Sequence, residues 1–361
     1  MQSEALRKYG WDVHCESGFV SFWEEGLEPG RVLEENRQRF RVYTAHGEIW
    51  AEVSGRFRFK ACARESLPAV GDWVALRLLP EGNRATIEAV LPRKSQFIRK
   101  VAGKPTEAQV VGANMDWVFV MMSLNQDFSV RRLQRYLVLA WESGAAPVVI
   151  LSKSDLCDDK ETAVAGIRKE AVGVPIHTLS ALTREGVEDL GNYLTAGKTI
   201  VLLGSSGVGK STLVNVLLGI PSLKTQPIRA HDGRGRHTTK ARQLFLLPGG
   251  ALVLDTPGMR EVQLWEAEEG VQMAFEEIEA HASQCRFRDC AHQHEPGCAV
   301  RKALAAGTLD EGRFQSYEKL KREMKHLILR QEGLAERLES QRWKKLSRLA
   351  KDSAFTKRKG N

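Results

Sequence analysis

Several features that would assign the chain to a common protein class are missing from its sequence. It contains no run of about 18 apolar residues, so we expect no membrane span. The opening segment, MQSEALRKYGWDVHCESG, lacks a continuous apolar core, so we expect no signal peptide. Six cysteines, spread out apart from one tight group, favour a reducing compartment over a disulfide framework. These absences predict a cytoplasmic protein without a membrane partner.

Positive charge is abundant and is concentrated in two regions of a chain whose net charge is +8. Residues 313–361 contain 15 Lys and Arg against 6 Asp and Glu, and residues 36–100 contain 13 against 6. Clustered positive charge favours a polyanionic partner, and nucleic acid is the commonest one. Each region can also be an ordinary solvated surface, and both interpretations stay open at this point.

Short strands are predicted over residues 36–100, in the segments RFRVYTAHGEIWAEVSG, GRFRFKAC, GDWVALRLL and RATIEAVLPR. Alternation of apolar and polar residues with Gly between the runs predicts a small antiparallel barrel of five strands. Barrels of the OB type bind single-stranded nucleic acid with basic and aromatic side chains. Trp50, Phe57, Phe59 and Trp73 are therefore candidates for stacking on bases, or else they fill a small core.

From residue 115 the pattern changes to buried strands that alternate with helices. Strand-like apolar runs such as MDWVFVMMSL and APVVILS are each followed by a helical pattern. This alternation predicts a mainly parallel α/β sheet. The segment LFLLPGGALVLDTPG predicts a hairpin of two further strands, and helices dominate from residue 268 onward.

A phosphate-binding loop is predicted where the strand TIVLL runs into the helix STLVNVLLG. The residues that match GxxxxGK[ST] are Gly204, Ser205, Ser206, Gly207, Val208, Gly209, Lys210 and Ser211. Glycines let the backbone N–H groups wrap closely round the phosphates. Lys210 is expected to reach the β and γ phosphates and Ser211 to bind Mg²⁺, with Thr212 beside them.

A second phosphate-contacting element is predicted in the sequence Asp255-Thr256-Pro257-Gly258, at the end of the strand ALVL. An acid in this position holds Mg²⁺ through water, and the Gly258 backbone N–H can sense the γ phosphate. DTPG alone is only a turn signal, but its place about 45 residues after the loop, at a strand end, favours the nucleotide site.

Guanine specificity is predicted from Ser152-Lys153-Ser154-Asp155, which follows the strand VVIL. The Asp155 carboxylate can pair with two guanine N–H donors that adenine does not offer. Ser152 replaces the Asn of the usual NKxD motif, which removes an amide from this element. Ser180 and Ala181 resemble the loop that supports the base. These elements precede the phosphate loop, so the usual GTPase order is circularly permuted, which a parallel sheet tolerates.

The segment between the two phosphate elements, Gly233–Thr239, reads GRGRHTT and is typical of a mobile switch. Either Thr238 or Thr239 is expected to close over Mg²⁺, and Thr239 is our Mg²⁺ ligand. Met259 follows DTPG where many GTPases carry a water-orienting Gln, which predicts slow intrinsic hydrolysis. His237 is a candidate substitute, or it belongs to a loop that only contacts RNA.

A metal centre is predicted from Cys285, Cys290, His292 and Cys298, with the spacing C-x4-C-x-H-x5-C. Three thiolates and one imidazole suit a closed, structural Zn²⁺ site with tetrahedral geometry. His294 lies close in the sequence and is an alternative ligand.

These patterns divide the 361 residues into five predicted segments. They are an N-terminal extension (1–35), an OB-type RNA-binding domain (36–104), a circularly permuted P-loop α/β GTPase domain (105–265), a mostly helical zinc-binding domain (266–330) and a basic helical tail (331–361).

As a set, the rotated order and the segments GRGRHTT, DTPGMRE and CRFRDCAHQHEPGCAV closely resemble the ribosome small-subunit-dependent GTPase A family, RsgA or YjeQ. The resemblance covers about residues 36–330. It implies an OB domain, a permuted GTPase domain and a zinc domain. It also implies a late role in maturing the bacterial 30S ribosomal subunit, contact with its 16S rRNA, and GTP hydrolysis that this subunit stimulates. Ser152, the acidic extension and the basic tail depart from the family pattern.

Two other hypotheses fit parts of the sequence. One is a nucleotide-gated RNA-binding protein with little turnover, although the intact Lys210, Ser211 and Asp255 speak against a degraded site. The other is an ATPase, against which Asp155 argues. We expect GTP or GDP, Mg²⁺ and one structural Zn²⁺ as ligands, and a monomer that binds no DNA.

Overall fold

The computed structural model describes residues 2–61, 63–80, 83–101, 104–124, 129–220, 242–255, 268–325 and 329. Among these residues, no helix has both the length and the apolar character needed to cross a membrane.

A closed barrel of five strands forms the N-terminal part of the molecule, as the alternating segments predict. Its strands pair in the order β1-β2-β3-β5-β4, and β4 returns to pair with β1. The pairing of β3 with β5 is parallel and the other pairings are antiparallel. The strands are β1 Glu28–Asn36, β2 Arg39–Thr44, β3 Gly47–Val53, β4 Trp73–Leu78 and β5 Arg84–Val90.

The predicted N-terminal extension contributes to this barrel. Strand β1 lies within residues 1–35 for most of its length, and the helices α1 Gln2–Arg7 and α2 Val13–Glu24 precede it. Tyr9 stacks on Tyr43 of the barrel with ring centroids 3.8 Å apart, and Trp11 packs edge-on against Trp73 at 4.8 Å. These contacts attach the segment firmly to the barrel, so it is not a separate extension.

The segment GRFRFKAC is a second difference, because it forms helix α3 Gly55–Lys60 and not a strand. Ser54 precedes the helix, and its side-chain oxygen accepts a hydrogen bond from the Phe57 N–H at 3.1 Å. Such a cap satisfies an N–H group that the helix itself leaves unpaired, which favours helix over strand here. The five barrel strands are therefore not the five that the sequence predicts.

A hairpin leads from the barrel into the predicted α/β sheet. The sheet has the order β10-β9-β8-β11-β13-β12, and its first five strands run parallel. The hairpin strands are β6 Gln96–Val101 and β7 Lys104–Ala113, and the sheet strands are β8 Trp117–Ser123, β9 Ala146–Ser152, β10 Ile176–Thr178, β11 Thr199–Gly204, β12 Gln243–Leu246 and β13 Leu252–Asp255. The helices of this part are α4 Val130–Glu142, α5 Lys160–Arg168 and α6 Lys210–Leu217.

The barrel and the α/β sheet are joined by strand pairing and by a buried arginine. Glu34 of β1 lies opposite Gln243 of β12 in an antiparallel pair. Arg31, which is 2% exposed, donates to the carbonyl oxygen of Tyr9. The same side chain donates to three further neutral oxygens: Gly71 O at 3.2 Å, Asn114 O at 3.1 Å and Thr199 Oγ1 at 3.0 Å. Burial lowers the pKa of Arg31 to about 10.

Helices follow from residue 268, as the sequence predicts. They are α7 Glu268–Ala274, α8 Glu276–Ala282, α9 Ala299–Ala305 and α10 over residues 311–325. Helix α7 packs against α4, where the Gly270 N–H donates to Glu142 Oε2 at 2.8 Å. Arg313 of α10 is 5% exposed and forms ion pairs with Glu277 at 2.7 Å and Glu170 at 3.6 Å. This arginine ties the C-terminal helices to the α/β sheet domain.

Candidate nucleotide site and metal centre

The predicted phosphate loop lies at the carboxyl end of β11, a fully buried strand between β8 and β13. The loop passes directly into α6, whose N-cap is Gly209. Gly207 and Gly209 have φ values of +77° and +100°, which side chains other than glycine rarely adopt. A loop of this shape turns backbone N–H groups towards an anion at the start of the helix.

Lys210, Ser211 and Thr212 begin α6. The Lys210 Nζ donates to the carbonyl oxygens of Gly204 and Ser205, each at 2.6 Å, so the ammonium lies across the loop. Ser211 is exposed and Thr212 is half-buried. The positive charge and the hydroxyl therefore lie beside the glycine-rich turn, where a phosphate would meet both.

Ser152, at the end of β9, contacts the phosphate loop directly. Its side chain is 2% exposed, and its Oγ donates to Val208 O at 2.6 Å and lies 3.3 Å from Met122 O. Sequence reasoning assigned Ser152 to the base-reading element and missed this contact. No local signal reveals it, since the two residues are 56 positions apart.

The rest of the predicted base-reading element lies next to Ser152. Lys153 has φ +59°, and a short 3-10 helix, Ser154–Leu156, carries the exposed Asp155. Ser154 N donates to Leu179 O at 3.2 Å, which joins this turn to the loop after β10. In that loop Ser180 is fully buried and accepts the Thr183 N–H at 3.2 Å, and Ala181 follows it half-buried.

Asp255 is the last residue of β13 and is exposed. Because β13 runs parallel to β11, its carboxylate and the phosphate loop lie at the same end of the sheet. Carboxylate and hydroxyl oxygens in such a position fit the oxygen ligands that Mg²⁺ prefers. The predicted His237, Thr238, Thr239 and Gly258 lie outside the described residues.

The predicted metal ligands come together beside α9. The ligand atoms of Cys285, Cys290, His292 and Cys298 all lie within 4.8 Å of one another. Cys285 Sγ lies 3.9 Å from Cys298 Sγ, and His292 Nδ1 lies 3.6 and 3.5 Å from these two sulfurs. Zn–S bonds of about 2.3 Å in a tetrahedron place two sulfurs about 3.8 Å apart, so the donor set fits Zn²⁺. The described cluster contains His292 and does not include the alternative His294.

Comparison with known proteins gives a consistent result. The RsgA GTPase family model matches residues 90–265. A protein of Opitutus terrae named small ribosomal subunit biogenesis GTPase RsgA is 46% identical over 350 residues, which are 94% of this chain and 95% of that protein. A protein of the same name from Syntrophotalea carbinolica is 41% identical over 354 residues, which are 96% of this chain and 97% of that protein.

Two solved structures share the fold. The crystal structure of YjeQ from Thermotoga maritima has a TM-score of 0.64 and 30% identity, and the match covers 82% of this chain and 98% of that chain. YloQ, described as a circularly permuted GTPase, has a TM-score of 0.62 and 24% identity, with 83% of this chain and 96% of that chain covered. On its sequence, its permuted sheet and these relatives, the chain belongs to the RsgA GTPase family.

Proposed function

We propose that the protein hydrolyses GTP to GDP and phosphate during late maturation of the bacterial 30S ribosomal subunit, and that the subunit stimulates this turnover. The observation that carries the proposal is the Ser152–Val208 hydrogen bond, which joins the predicted guanine-reading and phosphate-binding elements into one site. The names of the relatives support the ribosomal partner. In this proposal the 16S rRNA is the contact, and the protein works as a cytoplasmic monomer without a DNA ligand.

The nucleotide roles follow from the chemistry of each side chain. Asp155 would accept the two guanine N–H donors, and the backbone N–H groups from Gly204 to Gly209 would donate to the phosphates. Lys210 would exchange its bonds to the Gly204 and Ser205 carbonyl oxygens for bonds to β and γ phosphate oxygens. These contacts hold the γ phosphate in position for attack by water.

Ser211 and Asp255 would hold Mg²⁺, which would offset the negative charge of the phosphates. Thr239 remains our predicted third protein contact to the ion, with Thr238 as its alternative and His237 as the group that orients the attacking water. Four side chains would hold one structural Zn²⁺: Cys285, Cys290, His292 and Cys298.

Measuring GTP hydrolysis with and without purified 30S subunits tests the proposal. We expect a large 30S-dependent rise for the wild type and none for Lys210→Ala, because the mutant loses the ammonium that contacts the phosphates. A rate that stays flat when 30S is added would overturn the proposal and would favour a nucleotide-gated RNA-binding protein. Excess ATP that displaces bound GTP would exclude guanine specificity.

Ser152 acts, in this proposal, on the phosphate loop more than on the base. Its hydrogen bond holds the Val208 carbonyl oxygen towards Ser152. In a trans peptide the C=O and N–H groups point in opposite directions, so the Gly209 N–H points away from Ser152, into the loop. Ser152→Ala should therefore weaken GDP binding about 10-fold, because the buried Val208 carbonyl is left without its donor. The same variant should weaken guanosine binding far less.

Ser154→Ala is the matched control for this experiment. Ser154 is as buried as Ser152, at 2% exposed, and its Oγ has no hydrogen-bond partner among the described residues. Its removal should leave the Kd for GDP nearly unchanged. If Ser152→Ala weakens guanosine binding as much as GDP binding, Ser152 supports the base, and its assignment to the phosphate loop is wrong.

A further inference from the structure

The four aromatic side chains that are candidates for base stacking lie in different environments. Trp73 is 2% exposed, and Phe57 packs against the barrel core. Trp50 is 44% exposed, whereas Phe59 is 93% exposed. Two of the four are therefore core residues, and an aromatic ring as exposed as Phe59 contributes little to folding.

The surroundings of Trp50 distinguish it from Phe59. In the strand register Trp50 of β3 lies opposite Arg41 of β2 and beside Arg84 of β5. Arg41 forms ion pairs with Glu48 at 2.9 Å and Glu34 at 3.2 Å. The positive charge of Arg41 is thus already compensated by carboxylates, which repel a phosphate, and Arg84 is the one uncompensated cation that the strand register places beside Trp50 among the described residues.

Helix α3 presents Phe59 among basic side chains. Arg56, Arg58 and Lys60 are exposed on the same short helix, and Arg56 lies one turn before Phe59. Among the described residues neither Arg56 nor Arg58 forms an ion pair. Phe59 is thus the one aromatic candidate that combines full exposure with available positive charge.

The helix is held firmly in this orientation. The Ser54 N–H donates to Ile87 O of β5 at 3.0 Å, and Ser54 Oγ donates to Glu88 at 3.0 Å while it caps the helix. Phe57 packs inward against the core. The helix therefore has one anchored face, and Phe59 and the cations are left on the solvent side.

We propose that α3 is a contact surface for unpaired RNA nucleotides, with a base stacked on Phe59 and neighbouring phosphates held by Arg56, Arg58 and Lys60. Stacking on aromatic rings beside a basic surface is how OB-type barrels hold single strands without reading sequence. The inference deepens the proposed function, because it names the part of the barrel that meets RNA and rests on that function.

RNA fits this surface better than an acidic protein does. A protein partner needs a cluster of apolar anchors shielded by a rim, and Phe59 is the one large apolar side chain that α3 exposes widely. A flat ring surrounded by cations is instead complementary to a base and its phosphates.

The test measures how the full-length chain binds a fluorescent single-stranded RNA of about 12 nucleotides, within the site size of such barrels. We expect Phe59→Ala to weaken binding about 5- to 100-fold and Phe59→Trp to retain it, because the second keeps a stacking ring. Trp50→Ala is the matched control, an exposed aromatic of the same barrel, and should bind nearly as the wild type does. Thermal unfolding should be unchanged in Phe59→Ala, since the ring is solvent-exposed.

A second arm examines charge and strandedness. Arg58→Gln should lower the slope of log affinity against log salt by about 0.7, the value for one phosphate contact on a single strand. Phe59→Ala should reduce the affinity for fully paired RNA of equal length much less than it reduces the affinity for the single strand. Equal losses on both RNAs, equal losses in Trp50→Ala, or no loss at all would each overturn the stacking surface.

Failure here is distinguishable from failure of the proposed function. If Phe59→Ala binds the RNA as the wild type does but 30S still stimulates hydrolysis, this surface is wrong and the GTPase proposal stands. If 30S does not stimulate the wild type, the proposed function fails whatever the oligonucleotide shows.

Discussion

The barrel and the C-terminal helices flank the same α/β sheet, yet they hold their own structures together in different ways. The barrel closes a five-stranded sheet, so its backbone groups pair with one another around the ring. Helices α7, α8 and α9 have only seven residues each. Helices this short are marginal alone, and in the proposal above a metal held by four side chains would add to the stability that their packed core supplies. On that proposal, one flanking region is self-sufficient and the other depends on a ligand.

The junctions to the central sheet differ as well. Arg31 joins the barrel through neutral oxygens alone, whereas Arg313 joins the C-terminal helices through two carboxylates and the carbonyl oxygens of Glu170 and Ala274. Removing the buried Arg31 guanidinium takes this donor from four neutral oxygens, of which Gly71 O keeps a second donor in Asn114 Nδ2 at 3.1 Å. Removing Arg313 takes this donor from two carbonyl groups as well, but its two carboxylates are partly exposed and can be hydrated. The barrel junction should therefore be the less tolerant of the two.

Removal of the metal should have the largest effect. Structural Zn²⁺ contributes on the order of 10 kcal/mol to the folding of small zinc modules, so chelation should release the helices around residues 285–305. Hydrogen exchange should rise there and stay low in the barrel strands, and GDP binding should persist. An equal rise in hydrogen exchange in both regions after chelation, or no rise in either, would contradict the comparison.

Arg31→Met should have the next largest effect. It leaves the carbonyl groups of Gly71 and Asn114 without this donor, and we expect the free energy of unfolding to fall by about 3 kcal/mol in urea. Arg39→Met is the control, because its ion pair with Glu52 is exposed on both sides and should be worth under about 1 kcal/mol. Similar losses of unfolding free energy in the two variants would show that Arg31 stabilises the protein no more than an exposed ion pair does.

Arg313→Met should cost less, about 2 kcal/mol. It takes this donor from the Glu170 and Ala274 carbonyl groups, but the Glu277 side chain is already 33% exposed and can be hydrated. The loss should appear as faster hydrogen exchange in α7 and α8, with the barrel unaffected. A cost above that of Arg31→Met would reverse the order of the two junctions.

Thr199→Val should have the smallest effect, about 1 kcal/mol, since it keeps the shape and removes one acceptor of Arg31. In the Arg31→Met background the same change should be nearly neutral. A double-mutant cycle measures this coupling, and simple additivity would show that the Arg31–Thr199 bond contributes nothing.

The parts of the fold that the sequence predicts are those written in local patterns. Buried runs identify β8, β9 and β11, and the spacing from Gly204 to Ser211 identifies the loop with its flanking strand and helix. The alternation of Arg and Phe in α3 fits a strand equally well, and only the Ser54 cap and its bonds to β5 decide for a helix.

Distant pairings were beyond the reach of such patterns. Strand β1 contains Arg31 and Glu34, and these charged residues interrupt the apolar pattern by which a strand is recognised. Its distant partners lie in β4 and β12. The Ser152–Val208 bond likewise joins positions that no periodicity connects. In the candidate site the residue types were predictable, and the contact that links its two halves was not.

The pairing of β1 with β12 also bears on how the protein can be cut. A fragment that begins at residue 105 would lose β1 and expose the outer hydrogen-bonding groups of β12. Unprotected strands of this kind recruit other chains and aggregate. The same truncation would strip the partners from Arg242, whose side chain pairs with Glu35 at 3.4 Å. Insolubility of such a fragment would thus report a missing neighbour and not an inability of the nucleotide domain to fold.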